Sequence, residues 1–340
     1  MRTIEWRNGS VVTIDQSRLP HDFALLELKD LDEVVHAITS MKIRGAPLLG
    51  AAAAFALALV VHNSEAAKAE DMLGELEKAA QLLRQTRPTA VNLPWAIDRV
   101  LGRARLYRGN AHDLATHVIE EAQKIATEDS KANQLIGSYG ADLILDGDAI
   151  LTHCNAGELA TVEHGTALGV ITTAWGQGKK IEVYATETRP KMQGARLTMY
   201  ELKRTGIPAT LITDNMVGYV MYKQLVTKVI VGADRIVRNG VINKIGTYSI
   251  AVLSREHSLP FYVAAPKSTF DLARDSEEIV IEERPSAEVT HLGSQRIAPE
   301  GVIALNPAFD LTPMDYVSAV ICEDGILTRE NIETLKKRSL

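Results

Sequence analysis

The sequence predicts an α/β protein in two parts: a mainly helical N-terminal domain, then a doubly wound parallel sheet. Three observations predict it. A chain of 340 residues is long for one hydrophobic core. From Leu31 to about Leu135 apolar residues recur at helical spacing. Near residue 140 the rhythm changes to short apolar runs separated by helical segments, the pattern of strands buried on both faces. Domains are expected at residues 1–128 and 129–340.

Residues 1 to about 20 alternate weakly around Asn8-Gly9, a two-residue turn signal, so a small hairpin is expected. The first helical stretch holds Val34, Val35, Ala37 and Ile38, and an Ala-rich helix follows Pro47. Leu48 to Val61 is apolar but shorter than the roughly 20 residues of a membrane span, which favours a buried core helix. Met72 to Leu83 and Leu114 to Ile125 repeat the helical signal. Strands are expected at Ala149 to Thr152, Ile181 to Ala185, Ala209 to Ile212, Lys228 to Val231 and Phe261 to Val263, with helices over Gly194 to Arg204 and Thr247 to His257. Each strand stops in polar, Gly or Pro residues beyond its carboxyl end, the rim where open α/β sheets bind ligands.

Composition narrows the function. A net charge of −6 argues against a surface that grips nucleic acid or anionic lipid, while leaving room for one cationic pocket. Two cysteines, Cys154 and Cys322, suit a reducing, cytoplasmic setting, and the N-terminus lacks a signal peptide's apolar core. No G-x-G-x-x-G follows the first strand and no G-x-x-x-x-G-K-[ST] occurs, which disfavours a nicotinamide dehydrogenase or a P-loop nucleotidase; no His/Cys cluster supports a metal.

Six segments carry possible chemistry. Arg44-Gly45-Ala46-Pro47 opens the Ala-rich helix, where free amides, the helix dipole and a guanidinium can meet an anion. Arg87-Pro88-Thr89-Ala90-Val91-Asn92 repeats the arrangement, and for either one ordinary capping with a solvated arginine is the alternative. Cys154, in His-Cys-Asn-Ala-Gly at a strand end before an expected helix, could have a lowered pKa; an inert buried thiol is the other reading, and it fits Cys322. Asp234, in Gly-Ala-Asp-Arg at another strand end, could be raised by burial and serve as acid or base; a helix cap is the alternative. Asn243 and Lys244 precede a helix at Thr247, and Gln193 opens another, placed for sugar hydroxyls or for a polar cap.

Taken in order, these segments resemble the 5-methylthioribose 1-phosphate isomerase family. The matching stretches include Ile43 to Pro47, Arg87 to Leu93, Thr152 to Gly157, Gly165 to Leu168, Glu187 to Thr198, Gly232 to Ile236, Asn243 to Tyr248, Phe261 to Pro266 and Asn306 to Asp310. The resemblance implies a Rossmann-like second domain, a homodimer, a small sugar-phosphate substrate, no cofactor and no metal, and it fits a chain that binds neither nucleic acid nor membrane. It also implies Cys154 and Asp234 as the catalytic pair, with substrate held by Arg44, Gly45, Ala46, Arg87, Gln193, Asn243 and Lys244. The activity implied is aldose–ketose isomerisation of 5-methylthioribose 1-phosphate in methionine salvage. The same superfamily holds ribose 1,5-bisphosphate isomerases and regulatory subunits of a translation-initiation exchange factor. An isomerase of 5-deoxyribose 1-phosphate or ribose 1,5-bisphosphate, and a non-enzymatic subunit, are therefore the alternatives. Two departures from the family pattern stand out. Glu158 replaces a small residue, placing a carboxylate near the expected sugar, and the Asp234–Asn243 spacing is one residue shorter than in many bacterial members.

Overall fold

A computed structural model describes residues 2–87, 90–332 and 334 of the chain; Pro88 and Thr89 of the second arginine-led turn lie outside the described residues. The expected hairpin is present as β1 (Ile4–Arg7) and β2 (Ser10–Ile14), antiparallel across Asn8 and Gly9. Both turn residues have positive φ, 49° and 84°, as a two-residue hairpin connection requires. A third strand, β3 (Leu25–Leu28), pairs with β2. Its Leu-Leu-Glu-Leu sequence lacks the alternation that announces a strand, so only its backbone pairing reveals it.

Five helices follow: α1 (Leu31–Thr39), α2 (Ala46–Asn63), α3 (Ala69–Thr86), α4 (Asn92–Leu106) and α5 (Ala111–Ala141). Asp30 caps α1 by accepting from the Glu33 amide. Apolar on every side, α2 is enclosed by the other four helices, with Leu48, Leu49, Phe55, Leu57 and Leu59 all buried. Its length and composition would also suit a membrane span, but here it is the central rod of the helical layer. The first turns of α5 join that core through Leu114, Val118 and Ile125, and its last turns pack Ile136 and Ala141 against the second layer. The boundary expected at residue 128 thus falls inside one continuous helix.

The second layer runs β4 (Ala149–Thr152), α6 (Ala167–Gly176), β5 (Glu182–Thr186), α7 (Met199–Thr205), β6 (Ala209–Ile212), α8 (Val217–Tyr222) and β7 (Lys228–Val231). It continues with β8 (Arg235–Val237), β9 (Gly240–Lys244), α9 (Thr247–Glu256), β10 (Phe261–Ala264), β11 (Phe270–Asp271), α10 (Ala287–Thr290), β12 (His291–Leu292), β13 (Gln295–Arg296), β14 (Phe309–Pro313), β15 (Ala319–Cys322) and β16 (Gly325–Leu327). The main sheet has the order β16-β15-β10-β7-β4-β5-β6, parallel except for the edge strand β16. Both faces are covered. Ile150 and Ile230 pack among residues of α5 and α6, while Leu151, Val229 and Val231 pack among those of α8 and α9, as the period of two demands.

Among its six parallel strands this order is 3-2-1-4-5-6, the doubly wound arrangement. The direction of winding reverses between β4 and β7, so the connections leave their carboxyl ends towards opposite faces of the sheet and a crevice opens beyond them. All five expected strands are found, within a residue or two. A smaller sheet, β11-β8-β9-β14, stands beyond β7 and carries Asn243 and Lys244 at the end of β9.

Candidate active site

The crevice at the switch point holds the functional residues. Beyond β4 the chain runs through His153, Cys154 and Asn155; beyond β7 it runs through Gly232, Ala233 and Asp234. A Cβ at Gly232 would lie 2.8 Å from the Ala156 methyl, so only glycine lets these two strand ends meet. The helical layer closes the cleft from above with the first turn of α2. Gly45 has φ +99°, and a Cβ there would lie 2.5 Å from the Ala160 backbone. Arg44, Gly45, Ala46, Arg87, Cys154, Gln193, Asp234, Asn243 and Lys244 all line this one cleft, together with Met41, His153 and Phe309.

Polar side chains in the cleft are engaged one by one. Arg44 is buried and donates Nη1 to Asn155 Oδ1 (2.6 Å) and Nη2 to the Asn155 carbonyl (2.7 Å). It therefore ties the N-terminus of α2 to the Cys154 loop, where the sequence offered a guanidinium waiting for an anion. Arg87 Nε lies 3.4 Å from Glu282 Oε2. Lys244 donates Nζ to the Ala308 carbonyl (3.0 Å) and sits 4.8 Å above the Phe309 ring. Asn243 donates to Thr247 Oγ1 (3.0 Å). Gln193 is buried, and its Oε1 has no hydrogen-bond partner among the described residues.

Burial dominates the electrostatics. It pushes the Cys154 thiol up, Lys244 and Arg44 oppose the rise, and the Asp234 charge adds to it. The lowered thiol expected from sequence is thus reversed. Cys154 does not cap a helix: its amide donates to Thr188 Oγ1 (2.9 Å), and α6 begins only at Ala167. Burial also raises the Asp234 carboxyl, against the pull of Lys244, Arg87 and Arg44, and lowers the Lys244 ammonium. Cys322 is fully buried within β15, with burial raising it to about 11, in keeping with an inert thiol.

Glu158 does not reach the cleft as expected. Its carboxylate turns away to pair with Arg204, because the backbone beyond Gly157 enters a short 3-10 turn over Glu158–Ala160. Sequence reasoning also passed over Glu201 on α7. Its buried carboxyl accepts from Asn155 Nδ2 (2.8 Å) and the Glu158 amide (2.8 Å), and burial raises it to about 7. Arg44, Asn155 and Glu201 form one chain that fixes the loop after Cys154. No spacing signals Glu201, because its partner stands 46 positions away.

The sequence pattern of the Initiation factor 2 subunit family matches residues 42–329. The methylthioribose-1-phosphate isomerase of Trichlorobacter lovleyi is 51% identical over 328 residues, covering 96% of this chain and 95% of that one. A crystal structure of 5-methylthioribose 1-phosphate isomerase from Pyrococcus horikoshii OT3 is 44% identical with a TM-score of 0.90, covering 99% and 95% of the two chains. Another, described as translation initiation factor eIF-2B subunit delta from A. fulgidus, is 48% identical with a TM-score of 0.87 and covers 99% of each. With sequence and fold agreeing over nearly the whole chain, the protein belongs to the Initiation factor 2 subunit family, in its group of methylthioribose-1-phosphate isomerases.

Proposed function

We propose that this protein is an aldose–ketose isomerase that converts 5-methylthioribose 1-phosphate to 5-methylthioribulose 1-phosphate in methionine salvage. The observation that carries this reading is the meeting of Cys154 and Asp234, from the ends of β4 and β7, in one buried cleft lined by Arg44, Arg87 and Lys244. The activity needs no cofactor or metal, and we place the protein in the cytosol as a homodimer that binds neither nucleic acid nor membrane.

The substrate is a furanose whose anomeric oxygen carries phosphate, so it cannot open as a free sugar does. Asp234, whose carboxyl burial raises, acts in its protonated form and donates to the ring oxygen as the C1–O bond breaks. Cys154 removes the C2 proton in its thiolate form, which the charges of Lys244 and Arg44 favour against the effect of burial, to leave an enol phosphate; it then returns the proton to C1 while Asp234 recovers one from the 2-hydroxyl. Atoms and charges balance over the cycle. A hydride shift from C2 to C1 is the rival route. The phosphate lies against the first turn of α2, with Arg87 and Lys244 beside it and Gln193 Oε1 accepting from a sugar hydroxyl.

The test is turnover of purified protein with 5-methylthioribose 1-phosphate, 5-deoxyribose 1-phosphate and ribose 1,5-bisphosphate, read as ketose formation. The first should be the best substrate, and preference for another would reassign the sugar. Ketose from none would reject the enzyme reading in favour of a regulatory subunit, the reading suggested by likeness to the A. fulgidus structure. In deuterium oxide, solvent label at C1 supports proton transfer, and complete retention of substrate hydrogen supports the hydride shift.

A further inference from the structure

His153 is 2% exposed, sits next to Cys154, and takes no part in the chemistry above. Its Nε2 lies 2.9 Å from the Ile245 carbonyl, which can only accept, so Nε2 carries the proton. Nδ1 is then the acceptor of a 2.6 Å bond from the Thr186 hydroxyl. Thr186 Oγ1 is 3.1 Å from Thr188 Oγ1, and Thr188 Oγ1 accepts the Cys154 amide at 2.9 Å. With the ring neutral, as burial favours, the directions follow: Cys154 N–H to Thr188, Thr186 O–H to His153 Nδ1, and Thr188 O–H towards Thr186, whose Oγ1 (3.1 Å) and carbonyl oxygen (3.4 Å) both lie within reach. All three side chains are buried.

Two of the residues joined by these hydrogen bonds hold backbone conformations that side chains rarely adopt. Cys154 and Thr188 both have φ +62°, and Thr188 is β-branched, where positive φ is a marked departure. Such a conformation is strained and persists only where its surroundings impose it. Here the two strained residues are bonded to each other. The far side of Thr188 is pinned by Asp214, which accepts from the Thr188 amide (2.8 Å) and the Arg189 amide (2.7 Å). The other arm of His153 grips Ile245, the residue after Lys244.

We propose that His153, as the neutral Nε2–H tautomer, is a positioning residue that holds the strained Cys154 backbone, through Thr186 and Thr188, in register with the Lys244 strand end. The proposal rests on Cys154 as the reacting thiol. A satisfied core histidine would need no such placement; this one links both strained residues to the strand that carries the cleft's lysine.

Three measurements test it. In 15N-histidine-labelled protein at neutral pH, His153 should show the Nε2–H tautomer, and an Nδ1–H or charged ring overturns the proposal. His153→Asn keeps an acceptor at the Nδ1 position, whereas His153→Gln keeps only a donor towards Ile245. His153→Asn should lose about tenfold in kcat and His153→Gln about a hundredfold, with KM within about twofold in both. If both keep kcat within about twofold, or Gln is the better replacement, the positioning role is wrong. The third readout needs no turnover: iodoacetamide alkylation of Cys154, mapped by mass spectrometry, should change at least about threefold in His153→Gln and less in His153→Asn. Equal rates in all three proteins overturn the proposal, while altered alkylation in a protein that makes no ketose would leave the tether standing and reject the activity.

Discussion

The core around α2 and the crevice at its N-terminus adjoin in sequence and are sealed from water by opposite means. Along α2, Leu48, Phe55, Leu57 and Leu59 pack against other apolar side chains, and nothing needs a specific partner. In the crevice Arg44, Asn155, Glu201, His153 and Lys244 are buried, and each holds a directed bond. A buried apolar side chain stabilises by about 1.5–3 kcal/mol, whereas a buried polar chain gains little after desolvation but fixes geometry. Fold stability and site order therefore reside in different residues, and each can be disturbed without the other.

The sharpest separation comes from the cleft pair. Cys154→Ser and Asp234→Asn should each lower kcat by about a thousandfold or more, with thermal unfolding moved by less than about 3 °C. Near-normal turnover in both would remove the pair from the chemistry. From the other side, Phe55→Ala should cost about 3–5 kcal/mol in urea unfolding while kcat, measured well below the transition, stays within about twofold. A large loss of kcat there would mean that core and crevice are not separable.

A smaller effect follows from Asp129 on α5. Its carboxyl accepts from the Val162 amide (2.8 Å), and burial raises it to about 7. The folded state then binds a proton that the unfolded chain releases, so this stabilisation is complete below about pH 4 and is lost as pH climbs through about 7. Unfolding of Asp129→Asn at about pH 5 and about pH 7.5 should show less pH dependence than wild type; an equal slope would take Asp129 out of the account. Smallest of all is Glu77→Ala, which breaks an exposed pair with Arg105 (3.1 Å) and should change stability by less than about 0.5 kcal/mol.

Local chemistry made much of the fold legible. Asn8-Gly9 marked its hairpin, the strands that carry Cys154 and Asp234 read as short apolar runs, and Pro47 marked the start of the Ala-rich helix. The β8–β9 hairpin was missed because its two turn residues are Arg238 and Asn239, with Gly240 already in β9, and because each strand offers only two consecutive apolar residues, Ile236-Val237 and Val241-Ile242. All nine expected site residues reached the cleft, since strand ends and a helix start are positions that topology brings together. Partnership stayed hidden. The direction of the Cys154 shift, the turn of Glu158 towards Arg204, and the roles of Glu201 and His153 all depend on residues at least 33 positions away in the chain or on depth beneath the surface, neither of which one-dimensional spacing records.

The two bonds from Arg44 to Asn155 have a mechanical consequence. They join the tip of the central rod to the residue beside the thiol, so lifting the helical layer off the sheet would drag that loop with it. Entry of a sugar phosphate by wholesale hinging would dismantle the machinery it is meant to reach.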